Sequence, residues 1–436
     1  MGSTGVSYEL FRRKKFFRVI DGEAGLLALV KRGLRSKGFL YVTFGRMFNA
    51  ALGGVFYFVA ARILSVSGYG NISYYVAIGG FAATFAFLGL TATVPTFYPK
   101  EGREILIKQA VLLTFILSLV VAGVLVFLGY WFAAPIVLGV VCLNMSMVEA
   151  LGRRRYKRYF YIVSSVRVLQ LLLVGVFYFV AAFSGFFLRN LDTLILVAYS
   201  VPMFLAGYDY FKNFMGGVGF RFGEIRSKLK FTLHTWTLNL IGASRTLLDK
   251  ILVGAFFGMI FLGNYNLAFQ FLMVFMVIPT ALFSYLLPEK SSGSARREVE
   301  VVGLAVSVVI TILGFLLAPY VIRWLFPHFE GSVQATQVIS LAVLPATIAR
   351  IKSSELLSRE RSGTVLVGGA TALVVNVVGI IILGLQYQTV GFALAFLLSQ
   401  VALAIVLYVC SSEKVRSWFK RKESVSELES KAQEGE

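Results

Sequence analysis

The chain has 436 residues, 58% of them hydrophobic and 15% charged, with a mean hydropathy of +0.78. A soluble domain is nearer half apolar and a quarter charged, so a soluble fold is excluded. The formal net charge of +20 is scattered between long apolar runs, not gathered on one face, which turns the interpretation from nucleic acid to membrane.

Residues 1–38 are strongly basic, with Arg12, Arg13, Lys14, Lys15 and Arg18 followed by Lys31, Arg32, Arg35 and Lys37. A secretory signal would show an apolar core after a short basic start. The segment is instead expected to lie along anionic headgroups on the cytoplasmic side. From residue 39 the apolar runs begin, each long enough for a hydrocarbon core of roughly 30 Å. Spans are expected at 39–64, 72–95, 107–130, 133–152, 161–187 and 191–211, forming an N-lobe. A basic, Gly-containing linker covers 212–231. The C-lobe follows with spans at 232–258, 265–287, 301–326, 333–357, 363–386 and 388–410, then a charged tail over 411–436. In lipid the backbone must bond to itself, so the spans are read as helices. A β-barrel would show roughly ten-residue alternating segments. The fold class is therefore all-α integral membrane, about twelve helices in two six-helix bundles, placed in the cell membrane as a multi-pass protein.

Loop charges support the count. With both termini cytoplasmic, the inner loops and their edges hold 33 of the 42 Lys and Arg, the outer side holds Arg189 and Arg323, and seven lie within spans. That is the positive-inside pattern, and one missed span would destroy it. A shift of 193 residues aligns Gly70-Asn71 with Gly263-Asn264 and Pro95 with Pro288. Two halves of six spans have the same orientation, so a pseudo-twofold along the membrane normal is expected.

Enzymatic machinery is not legible. There is no Walker-type phosphate loop, the histidines are only His234 and His328, and the two cysteines, Cys142 and Cys410, sit far apart within spans. No enzyme activity, cofactor or metal is expected, and the outer loops are too short for a catalytic domain.

The charges within spans carry the chemistry, because an Arg or Lys at a helix centre costs about 2.5–3.5 kcal/mol. Arg62 and Lys352 lie near span ends and are read as snorkelling; Arg350 is similar but deeper. Arg46 and Arg167 sit roughly 10 Å inside at ~1.5 Å per residue, where snorkelling and a cavity role are both open. Arg46 shares a face with Asn49 and Gly53, a polar stripe that favours a cavity. In span seven, His234, Gly242, Arg245 and Asp249 fall within one arc of an ideal helix. Asp249 is expected to pair with Arg245, its i−4 neighbour, with Lys250 on another face. The substrate-binding candidates are Arg46, Asn49, Arg167, Asn239 and Arg245, and Asp249 with Arg245 is the candidate ion-coupling pair. Three arginines against one deep acid make a cationic cavity, suited to an anionic headgroup that guanidinium can hold in bidentate fashion.

Four stretches carry a resemblance. Ala61-Arg62-Ile63-Leu64 through Gly68-Tyr69-Gly70 is one; Leu248-Asp249-Lys250-Ile251-Leu252-Val253-Gly254 with Leu262-Gly263-Asn264-Tyr265 and Ala268 is another. Leu286-Leu287-Pro288, and Asn376 followed by Thr389 to Ala395, complete it. In these the chain resembles the multidrug/oligosaccharidyl-lipid/polysaccharide (MOP) flippase superfamily, most of all its polysaccharide-biosynthesis, O-antigen-type branch. The family's acidic run at the end of span two is replaced here by Phe87-Leu88-Gly89-Leu90, which puts an acidic inner gate in doubt. The resemblance implies alternating access and movement of a polyprenyl- or dolichyl-(pyro)phosphate oligosaccharide to the outer leaflet. It also implies membrane lipids and glycan polymerases or transferases as partners, with no nucleic acid. A drug or metabolite antiporter of the same fold is the competing expectation.

Overall fold

The computed structural model describes residues 37–183, 190–214, 222–291 and 297–411. The basic N-terminal segment up to residue 36, the middle of the expected linker (215–221), Arg189 and the tail from 412 lie outside the described residues. Among the described residues every regular element is helical.

In the first half, α1 (Lys37–Ile63) passes through only two non-helical residues into α2 (Val66–Phe87). Ser65 caps α2 by accepting from the Gly68 N–H at 3.2 Å. The outer loop expected at 65–71 is therefore mostly helix. α2 stops where Leu88 (φ 43°) and Gly89 (φ 78°) both turn left-handed, and α3 (Leu90–Glu101) leaves at 43° to it. Span two, expected to be continuous to residue 95, is thus broken. α4 (Glu104–Phe127), α5 (Ala133–Gly152), α6 (Tyr156–Ala182) and α7 (Leu191–Phe214) follow. α1 packs on α6, and α5 packs against α2, α4 and α7.

The second half opens with α8 (Gly223–Ser227) and α9 (Leu229–Ala243), then one π turn (Ser244–Leu248) and α10 (Asp249–Phe257). α11 (Met259–Phe275) and α12 (Val277–Ser291) are bent by 46°, much as α2 and α3 are. α13 (Arg297–Leu325), α14 (Ser332–Leu341) and α15 (Val343–Ser358) come next. α16 runs from Ser362 to Ser411, 50 residues, or about 75 Å if straight. That is more than twice a hydrocarbon core of roughly 30 Å. It breaks at Gln388 (φ 50°, ψ −127°) and doubles back. A Cβ on Gly379 would lie 2.8 Å from Ala395 Cβ, and Gly368 lies against Leu407, an antiparallel pairing of small residues that lets the backbones approach.

Among the described residues seven helices are long and apolar enough to cross a membrane, or nine when each bent pair counts as one span. The π turn and the shorter apolar stretch Leu191–Gly207 keep expected spans seven and six out of that count.

The halves meet where α2 crosses α11. A side chain at Gly70 would collide with the Met259 carbonyl, and one at Gly263 with the Val66 carbonyl. Asn266 Nδ2 donates to Ser73 Oγ at 2.7 Å. Val66 and Met259, Gly70 and Gly263, and Ser73 and Asn266 are each 193 residues apart. Reciprocal contact of this kind is the signature of a local twofold relation.

Candidate functional site

The two halves touch at two levels. At the end that carries the basic loops, α9 lies across the α2–α3 break. Thr235 Oγ1 donates to the Gly89 carbonyl at 3.3 Å, Trp236 Nε1 donates to the Thr84 carbonyl at 3.1 Å, and the hydroxyls of Thr93 and Thr232 are 3.0 Å apart. Any side chain at Gly89 would run into Thr232 and Thr235, so glycine serves both the left-handed turn and the close approach. Ion pairs continue the contact: Lys228–Glu101 at 2.9 Å and Arg103–Glu224 at 2.7 Å, with Phe97 edge-on to Phe231 at 5.1 Å. The end of span two thus makes a threonine–tryptophan contact with α9, backed by ion pairs from Glu101 and Arg103. At the opposite end, Phe58 stacks on Phe326 at 5.8 Å and Tyr69 is edge-on to Phe329 at 5.4 Å.

Between these levels lie the candidate charges. Arg167 on α6 donates from Nε to Asn49 Oδ1 at 2.7 Å, so two predicted residues meet across α1 and α6. Its Nη1 donates to Gln170 Oε1 at 2.9 Å, and Gln170 Nε2 donates to the Tyr199 carbonyl at 2.7 Å. Arg167 faces Gly53, the third residue of the predicted stripe. Arg46 is exposed and makes no hydrogen bond or ion pair among the described residues. Asn239 is exposed and reaches Thr91 Oγ1 at 3.4 Å, placing it beside the α3–α9 contact, apart from Arg167.

The expected pair of Asp249 and Arg245 does not form. Asp249, 2% exposed, takes Lys250 instead: Nζ lies 3.4 Å from Oδ1. The Lys250 N–H donates to Oδ1 at 2.8 Å and Tyr265 Oη donates to Oδ2 at 2.9 Å. Lys250 Nζ also donates to the Thr246 carbonyl at 2.8 Å and stands 3.7 Å from the Phe269 ring centroid, a cation–π contact. The helix is also irregular here: Arg245 lies inside the π turn Ser244–Leu248, whose i→i+5 bonding departs from the regular α-helix on which the Asp249–Arg245 pairing is counted. The local signal was in the sequence: Asp249-Lys250 followed by Tyr265 and Phe269 on one face of the next helix.

Arg245 is left partly buried beside α16, where its Nη1 would lie 3.4 Å from a Cβ at Gly369. Its charged neighbour is another cation. Arg350 on α15, also partly buried, lies within electrostatic range of it. Neither has a hydrogen-bond or ion-pair partner among the described residues. The buried acids are committed elsewhere: Asp249 as above, and Glu149 to Arg153 at 2.8 Å and Arg158 at 3.4 Å. Lys352, two residues beyond Arg350, is neutralised by Glu355 at 3.0 Å. Arg350 was placed by depth alone with the snorkelling residues; no sequence spacing links it to Arg245.

The helices define a multi-pass membrane protein whose interior carries uncompensated positive charge. No family model matches the sequence, and no curated protein matches it. Solved structures do. The fold aligns with that of the lipid II flippase MurJ in an inward closed conformation at a TM-score of 0.70 and 13% identity, over 86% of this chain and 87% of that one. It aligns with an inward-facing multidrug resistance MATE family transporter of the MOP superfamily at 0.63 and 12%, over 88% and 99% of the two chains. A Vibrio cholerae MATE transporter, VcmN, gives 0.55 and 11%, over 87% and 97%. The chain therefore has the fold of MOP-superfamily transporters.

Proposed function

We propose that this chain is an alternating-access flippase that moves a polyprenyl- or dolichyl-(pyro)phosphate oligosaccharide from the cytoplasmic to the outer leaflet. In this proposal twelve spans form two six-helix bundles with both termini cytoplasmic, the protein is not an enzyme, and glycan polymerases or transferases are its partners. The carrying observation is that Arg245 and Arg350, both partly buried, have no hydrogen-bond or ion-pair partner among the described residues, while the buried acids Asp249 and Glu149 are already paired. Cations placed so are costly unless an anion joins them, and a phosphate or pyrophosphate offers oxygens to both guanidinium groups. Arg46, Asn49 and Arg167 on the other half would meet the same substrate as the halves exchange contacts. The likeness to MATE transporters keeps ion-coupled drug antiport as a second proposal, against which the sign of the charge speaks.

Reconstituted protein given either a fluorescent polyprenyl-pyrophosphate oligosaccharide or a cationic dye separates the two. Flipping of the anionic lipid without dye transport is expected. Dye transport driven by an ion gradient, with no flipping, would replace flippase by antiporter.

A further inference from the structure

A cavity of about 770 Å³ opens on the outside of the first half, where the α5–α6 turn meets α1 and α7. Arg154, Arg155 and Lys157 line it together with Tyr41 from α1 and Tyr161 from α6. These three cations are exposed and have no carboxylate partner among the described residues; Lys157 lies 5.9 Å from the Tyr161 ring. Arg153 and Arg158 beside them are spent on Glu149. Following α6 away from this basic end, Tyr161, Ser165, Val168, Leu172, Gly175 and Phe179 recur three and four residues apart, on one face. Val168 to Phe179 line a second groove of about 520 Å³, with no polar side chain in it. Arg167 points to the opposite side, toward α1.

We propose that this face of α6 binds an acidic phospholipid, its phosphate in the basic cavity and its acyl chains descending along Ser165 and Val168. The sequence of surfaces decides the occupant. A free phosphate or an acidic peptide would use the cations but has nothing to lay against the apolar continuation. A headgroup set among arginines and tyrosines at the membrane edge, with its tails on the same helix face, uses both. The site would also tie α1 to α6 at their basic end, where the contact is otherwise aromatic, Tyr41–Phe160 at 6.1 Å. It does not depend on the transported substrate, since it lies outside the bundle.

Native mass spectrometry of the purified protein with dioleoylphosphatidylglycerol or dioleoylphosphatidylcholine tests it. Selective retention of the acidic lipid is expected, unaffected by millimolar inorganic phosphate. Replacing Arg154, Arg155 and Lys157 together by Gln should weaken retention roughly 100-fold, at about 1 kcal/mol per basic residue. Because fewer loop cations could disturb insertion, Ser165→Trp serves as a second variant, filling the cavity without changing charge, and should also release the lipid. Equal retention of both lipids, displacement by inorganic phosphate, selectivity only for a polyprenyl phosphate, or unchanged binding in both variants would overturn the proposal.

Discussion

Two sets of charges come within one turn of each other at Arg245 and Asp249, and they are built in opposite ways. Asp249 and Lys250 neutralise each other, with Tyr265, Thr246 and Phe269 taking up the remaining donors, acceptors and the cationic face. Arg245 and Arg350 have no counter-charge among the described residues. A buried pair with every valence filled is a fixed part of a structure; its loss strands a charge. Unpaired cations are held in place by the fold alone, and under the proposed function an anionic headgroup would answer them. The difference teaches that depth in the membrane does not mark function by itself. Whether the charge is already answered does.

The largest expected effect breaks the filled cluster. Asp249→Asn leaves Lys250 as an uncompensated buried cation and should cost about 3–5 kcal/mol, read as a large fall in melting temperature in detergent and poor accumulation in the membrane. Combining Asp249→Asn with Lys250→Met removes both charges and should recover most of the loss. If Asp249→Asn alone is fully stable and only its ion dependence of transport changes, the cluster is a coupling site and not a fixed pair.

Next comes the open cluster. Arg245→Ala and Arg350→Ala should leave stability unchanged or raise it, since each removes an unpaired cation. Each should lower flipping about ten- to a hundredfold, the equivalent of one charged hydrogen bond at about 1.5–3 kcal/mol. Lys should rescue only in part, because it lacks the planar fork. Normal flipping rates in both Ala variants would move the headgroup site elsewhere.

The smallest effect belongs to the basic-loop end, where the pairs are nearer solvent. Lys228→Ala removes the contacts to Glu101 and Glu224, a partly buried network of long side chains at the loop end worth about 1 kcal/mol. A change of less than fivefold in transport rate is expected. Gly89→Ala at the same place should be much more harmful, because it meets the α9 backbone. If the two variants behave alike, the Gly89 contact is not what brings α9 against the α2–α3 break.

The apolar runs made the helices legible, and the hydrophobic pattern even located the break in α16, where two spans were separated near Gln388. The 193-residue shift was visible because Gly70 and Gly263 are identical. Its third contact was not, because Ser73 and Asn266 differ and only their bond reveals the equivalence. A face count on a regular helix placed Arg46, Asn49 and Gly53 on one stripe, but the bond from Arg167 to Asn49 crosses between helices and was not legible in it. The count of one face failed in span seven, where Ser244–Leu248 forms a π turn that nothing in the sequence announces and Asp249 pairs with Lys250, not Arg245. Arg350 escaped for a different reason. Its nearness to Arg245 arises between helices about a hundred residues apart, which no spacing shows.

Equilibrium binding of a pyrophosphate-headed polyprenyl lipid to the purified protein tests the central claim most directly, comparing the parent with the Arg245→Ala/Arg350→Ala double variant at matched stability. The two arginines acting on one headgroup predict binding weakened by roughly a hundredfold or more, with most of the salt dependence lost. Equal affinity and an equal salt response in parent and variant would show that the unpaired arginines do not hold the anion.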